Sequence, residues 1–366
     1  MSTDPQINPY AALPFHFWTA TFFAFGSIVG SFLNVCIHRL PRDLSVVHPP
    51  SHCPTCKYQI PWFLNIPILT WLMIGGRCSN CQSKISPRYL LVELLTGVLF
   101  ATCWIAFGKI SVGLSIAYAI VLAGFIAATF TDFEHFIIPN EITFTGMILG
   151  LIASAALPVL HGADTWLEGL KHGAIGLAAG AGIVYAVLRF GKLMFGRYHV
   201  DFEQGKRMIF TENDLILPTG PVPYGEFFFR KSDYIRFHAD RLEMVDRCFQ
   251  DVDVEVSSHL LRIGDEEFDP EPIKYMCATT STVQLPREAM GLGDVKFMGA
   301  IGAFLGWKAV VFSLIGSSLV GALVGIGLIA MGKRDWSSRL PYGPYIALAA
   351  TIWIFYSQPI LARFVP

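Results

Sequence analysis

Eight apolar runs decide what this chain can become. They fall at about 15–37, 89–107, 111–130, 142–160, 173–190, 295–306, 309–331 and 343–361. Most approach the roughly 20 residues a helix needs to cross a hydrocarbon core. The sixth is short, bounded by Asp294 and the Trp307-Lys308 pair. Only 15% of the 366 residues are charged while 53% are hydrophobic, and a soluble domain carries about 25% charge. A disordered chain, a disulfide-stapled miniprotein and a nucleic-acid binder are excluded together, and the net charge of −1 offers nothing to a polyanion. The expected fold is an all-α polytopic membrane protein of about eight transmembrane helices.

Basic residues orient it. No Lys or Arg precedes Arg39, so the start lacks the basic flank of a cleavable signal peptide. The segments 38–88 and 332–342 carry 6 and 3 Lys+Arg, whereas the opposite segments carry only Lys109, Lys171, Lys308 and Arg363. The positive-inside rule then places both termini outside and the large loops in the cytoplasm. One of those loops, 197–289, holds 18 acidic and 11 basic residues, a soluble proportion. Asp251-Val-Asp-Val-Glu-Val256 alternates like a half-buried strand, and Gly264-Asp265 reads as a turn. The expected organisation is a first transmembrane helix (1–38), a cytoplasmic cysteine loop (39–88), a first part of the membrane core (89–196), an inserted soluble α/β domain (197–289) and a second part of the core (290–366).

Within 39–88, Cys53-Pro-Thr-Cys56 and Cys78-Ser-Asn-Cys81 form two CxxC knuckles. Each can wrap two sulfurs onto one tetrahedral ion, so Cys53, Cys56, Cys78 and Cys81 are expected to hold zinc, or iron in the same cage. Disulfides suit a reducing cytoplasm badly. Cys36, Cys103, Cys248 and Cys277 read as small packing residues.

Two aspartates carry the second signal. Asp132 follows the third run in Thr131-Asp-Phe-Glu-His-Phe-Ile-Ile-Pro-Asn140, and Asp294 opens the sixth in Gly291-Leu-Gly-Asp-Val-Lys296. Singly, one reads as a solvated loop residue and the other as a helix cap. The topology puts both at the cytoplasmic mouth of the bundle, where a carboxylate pair could activate water and protonate a leaving amine. Glu134, Glu141 and His135 are nearby competitors, and Glu93, inside the second run, is either functional or paired with Arg88. Gly26/Gly30, Gly146/Gly150 and Gly302/Gly306 form GxxxG pairs suited to close helix contact.

These residues resemble the bacterial type IV prepilin peptidases. The resemblance rests on Gly26-Ser…Gly30-Ser-Phe-Leu-Asn-Val35…Arg39-Leu-Pro41, the two knuckles around Asn65-Ile-Pro67, Pro87-Arg-Tyr-Leu-Leu-Val-Glu93-Leu-Leu-Thr-Gly97, Asp132 with Ile138-Pro-Asn140, and Gly291-Leu-Gly-Asp-Val-Lys296. It implies a GxGD-type aspartic endopeptidase of the bacterial inner membrane, with Asp132 and Asp294 catalytic and facing the cytoplasm. Its substrates would be type IV prepilins or type II secretion pseudopilins, whose basic leader is removed between Gly and Phe, with pilus or type II secretion assembly components as further partners. The cysteine loop implies N-methylation of the new N-terminus, with S-adenosyl-L-methionine as donor. Glu134 stands where such enzymes often have a second Asp, and the insert 197–289 lengthens the gap between the catalytic motifs. A non-catalytic scaffold of a secretion machine and a GxGD protease with other substrates are the competing readings.

Overall fold

The computed structural model describes residues 14–195, 197–218, 220–228, 233–270, 274–286, 291–332 and 340–364. The first 13 residues of the expected first segment, the 196/197 and 289/290 boundaries, and the basic Lys333, Arg334 and Arg339 lie outside them. The chain divides into two compact units, one formed by 1–185 with 291–366 and the other by 186–290.

The first unit is helical. Its elements are α1 (Phe15–Arg39), the short α2 (Leu69–Met73), α3 (Pro87–Phe107), α4 (Val112–His135), α5 (Asn140–Ala156), α6 (Trp166–Phe195, its last turns in the second unit), α7 (Leu292–Ala330) and α8 (Gly343–Phe364). Five helices are long and apolar enough to cross a membrane: those at 15–42, 87–107, 112–135, 166–193 and 292–330. Their sides carry exposed Phe25, Phe32, Leu91, Val98, Ile116 and Leu319, as suits a multi-pass membrane protein whose solvent there is lipid.

Small residues let these helices touch. A Cβ on Gly26 would meet Phe100 at 2.7 Å, and one on Gly30 would meet the Glu93 Cα at 2.8 Å, which presses α1 onto α3. Gly150 meets Ala303 in the same way, and a Cβ on Gly302 would stand 2.0 Å from the Gly176 carbonyl oxygen, so the start of α7 packs against α5 and α6. Backbones approach this closely where neither side bears a side chain.

The 39 residues of α7 are not one rod. Gly306 has φ 78° and ψ 171°, a conformation reserved for glycine. Beyond it the chain turns back, since a Cβ on Gly302 would touch Val310 at 3.0 Å; in a straight helix eight residues would separate them by about 12 Å. The second limb then pairs with α8 in antiparallel order, Gly316 meeting Ala349 and Gly321 meeting Tyr345, and Gly325 meets Leu340 just before α8. Ser154 Oγ, which donates to the Ala303 carbonyl at 2.8 Å and bonds His161 Nε2 at 2.8 Å, fastens the limb just before the reversal.

The second unit corrects the expectation of an α/β insert. Its described residues after α6 form one antiparallel sheet of eight strands with a single 3-10 turn: β1 (Arg197–Thr211), β2 (Asp214–Leu217), β3 (Gly220–Pro223), β4 (Tyr234–Met244), β5 (Cys248–Ser257), β6 (Leu261–Ile263), β7 (Glu266–Phe268) and β8 (Tyr275–Pro286), in the order β3-β2-β1-β8-β4-β5-β6-β7. The alternating Asp251–Val256 stretch lies in β5, with Val254 and Val256 buried. Gly264-Asp265 is a two-residue hairpin joining Ile263 to Glu266. A register irregularity between Asp201 and Lys206 shifts the phase of β1, so the period-2 pattern that would announce its strand is broken. Met208, Phe210, Ile235, Phe237, Leu242 and Met276 build its core, with the Phe210 and Phe237 rings stacked at 5.6 Å.

Candidate active site and metal centre

Asp132 lies in the last turn of α4 and Asp294 in the first turn of α7, and both are buried. Each completes a backbone bond that a helix end leaves open. Asp132 Oδ2 accepts from the N–H of Gly343, which opens α8, at 2.8 Å. Asp294 Oδ2 reaches back to the Gly291 N–H at 3.2 Å. Ile138 joins the two ends. A Cβ on Gly343 would stand 3.1 Å from its Cδ1, and a Cβ on Gly293 would stand 3.3 Å from its Cβ. Lys296 Nζ, donating to Asn140 Oδ1 at 2.7 Å, clamps the start of α7 to the start of α5. Exposed Phe133, Phe136, Ile137 and Leu292 flank the pair in sequence. The arrangement offers two carboxylates with different hydrogen-bond partners, the setting in which one is ionised and the other holds a proton.

The nearby acids separate from this pair. Glu134 bonds Arg88, so Arg88 is not the partner of Glu93. Glu93 Oε2 instead accepts from the backbone N–H of Ile68 at 2.8 Å, anchoring the cysteine loop to α3. Ile68 has φ +64°, rare for a β-branched residue, and that conformation aims its N–H at the carboxylate. Arg39 holds the same loop through the carbonyls of Ser45 and Pro49. Asn34 bridges α1 and α3 by donating to the carbonyls of Gly30 and Tyr89. The motif residues Arg39 and Glu93 thus hold the loop, and Asn34 holds α1 to α3. The Gly343 N–H is the contact the sequence reading missed. Its signal was Pro341-Tyr-Gly-Pro344, since Pro is favoured in the first turn of a helix.

The four thiols converge. Their sulfurs lie within 4.8 Å of one another, with Cys53 Sγ 3.8 Å from Cys81 Sγ and Cys56 Sγ 4.0 Å from Cys78 Sγ. Four sulfurs each about 2.3 Å from a central ion stand roughly 3.8 Å apart, so the cage fits a tetrahedral metal. A disulfide would need about 2.05 Å. The two knuckles repeat one backbone design. Lys57 N–H bonds the Cys53 carbonyl and Gln82 N–H the Cys78 carbonyl, and Lys57 and Gln82 both take positive φ. The backbone N–H of Cys56 holds the Cys53 thiol down to about 5, and the Ser83 hydroxyl lowers Cys81. At Cys78 the backbone N–H groups of Cys81 and Asn80 are outweighed by burial and the neighbouring Cys53 and Cys81 thiols, so that thiol is raised. Thiolate is the form a metal binds.

Comparison with known proteins gives the family. Residues 24–107 match the bacterial peptidase A24 N-terminal domain, and residues 119–197 and 275–326 match the type IV leader peptidase family, together more than half of the chain. The chain belongs to this family. The break in the second match, 198–274, falls inside the sheet unit. Among relatives named prepilin leader peptidase/N-methyltransferase, that of Aeromonas hydrophila is 27% identical over 92% of this chain and 90% of its own length. That of Myxococcus xanthus is 40% identical over 46% of this chain and 49% of its own, and that of Neisseria gonorrhoeae 32% over 47% and 65%. The family members that match at higher identity therefore align over half to two thirds of their length. No solved structure matches the chain.

Proposed function

We propose that this chain is a membrane aspartic endopeptidase that removes the leader of prepilin-like proteins, with Asp132 and Asp294 as its catalytic pair. The observation that carries the reading is their meeting around Ile138 from the ends of two different helices. One carboxylate takes a proton from water as the water oxygen bonds the scissile carbonyl carbon. The other donates its proton to the carbonyl oxygen; the first then passes the proton it took from water to the departing amine as the C–N bond breaks, and the second recovers its proton as the carbonyl of the new acid re-forms. The backbone N–H groups of Gly343 and Gly291 fix where each carboxylate oxygen points, the preorganisation such a step requires.

Counting the two limbs of α7 separately, α1, α3, α4, α5, α6, the two limbs and α8 make eight crossings. Asp132, Asp294 and the cysteine loop then share one side, which the Lys and Arg bias assigns to the cytoplasm of a bacterial inner membrane. Zinc in the Cys53, Cys56, Cys78 and Cys81 cage would hold the loop folded. N-methylation of the new amine is the family's second activity. S-adenosylmethionine would supply the methyl group when bound; among the described residues no cluster carries a donor set particular to it.

The test is leader removal from a prepilin-like substrate by Asp132→Asn and Asp294→Asn. Asn keeps an acceptor oxygen for each helix-end N–H, so the folds stay intact while the exchangeable proton is lost. Both variants are expected to accumulate in the membrane and to cleave nothing detectable. Near-normal cleavage by either would remove that aspartate from the catalytic pair and leave it as a helix-end cap.

A further inference from the structure

The cysteine loop carries a surface that neither metal nor peptidase chemistry uses. Trp62 is 82% exposed and Met73 86% exposed, and Phe63, Leu69 and Leu72 are each more than half exposed. In a loop facing water such a row is out of place. The loop does not stand clear of the membrane. Ile68 is bound to Glu93, six residues into α3, which is about 9 Å along the axis at 1.5 Å per residue. The 21 residues of α3 just cover the hydrocarbon thickness of about 30 Å. The row from Trp62 to Met73 therefore lies beside the outer part of a membrane-crossing helix and continues its apolar flank.

Next to the row is a cavity of about 370 Å³ lined by Trp71, Gly76, Arg77, Lys84, Ser86 and Pro87. Arg77 and Lys84 face each other across an antiparallel bridge, and like charges directly opposed destabilise a pair unless an anion joins them. Neither forms an ion pair among the described residues. The Trp71 indole N–H is buried without a partner among them. A cationic cleft beside an apolar and aromatic row at the membrane boundary is complementary to an anionic headgroup above its acyl chains.

We infer that Trp62–Met73 with Arg77 and Lys84 is a docking surface for anionic phospholipid of the leaflet around α1 and α3. The row lies among the upper acyl chains and the headgroup phosphate is held between the two cations. The test uses the full chain in nanodiscs of phosphatidylcholine with and without phosphatidylglycerol. The fluorescence lost in Trp62→Phe reports on Trp62 alone, and is expected to be quenched by lipids brominated near the headgroup and shielded from aqueous iodide. The double variant Arg77→Gln/Lys84→Gln is expected to retain phosphatidylglycerol roughly tenfold less than the parent in native mass spectrometry. Unchanged melting temperature and metal content in detergent establish that both variants are folded. Quenching by iodide and not by brominated lipid would overturn the immersion of the row. Equal phosphatidylglycerol retention by the double variant, or its displacement from the parent by millimolar inorganic phosphate, would overturn the lipid assignment, the second in favour of a soluble anion.

Discussion

The glycine that opens α8 gives the sharpest test of how Asp132 is held. A methyl group at Gly343 would stand 2.9 Å from Asp132 Oδ2 and 3.1 Å from Ile138 Cδ1, where ordinary contact begins near 3.4 Å. Gly343→Ala must therefore move the carboxylate by about half an ångström, or stretch its 2.8 Å bond to the Gly343 N–H. Overpacking of this kind costs about 1–3 kcal/mol, and a displacement of 1 Å at a reacting group lowers rate roughly 100-fold. Leader cleavage should fall about ten- to hundredfold in kcat/KM, with melting lowered by only a few degrees. Glycine is not required for backbone conformation here, since Gly343 lies in ordinary helix; the penalty comes from the added methyl. The assay is cleavage of a purified prepilin-like substrate in detergent, beside thermal unfolding of the same preparation. A variant that folds and keeps kcat/KM within twofold would refute the geometry argued for Asp132.

Further outcomes follow from other contacts. Purified protein should carry about one metal ion per chain, and Cys53→Ser or Cys78→Ser should lower both metal content, read by elemental analysis, and melting temperature. Ser154→Ala strands the Ala303 carbonyl and His161, and should destabilise the chain by about 1–3 kcal/mol in thermal unfolding. Glu134→Gln breaks the bond to Arg88 yet leaves both aspartates in place, so substantial cleavage should remain. The hydrogen bond from His238 to Asp253, then that to Asp251, raises His238 above its ordinary 6.5. Its stabilising effect is therefore full below 6.5 and fades as pH rises through the raised value; His238→Gln should flatten that part of the melting-temperature profile, and an unchanged profile would remove His238 as its source.

Local signals made much of this legible. Apolar runs mark helices because each must satisfy its own backbone in lipid, and the CxxC spacing draws four sulfurs together because a knuckle is a local turn. Asp294 could be read as a helix-opening acid, and the structure has it reach back to Gly291. What escaped the sequence was long-range. Nothing near Glu134 announces Arg88, 46 residues away, and nothing near Asp132 announces Gly343, 211 residues on. The sheet was under-read for two reasons. Its irregular β1 hides the alternation, and its order joins the first strand to the last, a pairing no local window contains.

That pairing bears on how the chain tolerates its sheet unit. Arg197 at the start of β1 is in register with Pro286 at the end of β8, so the entering and leaving strands stand only about 5 Å apart. A segment of 90 residues thus begins and ends at nearly one point, like a closed purse on a short drawstring. Two or three turn-forming residues would bridge the same gap. The segment can therefore lengthen, shrink or be exchanged without altering the span between the residues it joins.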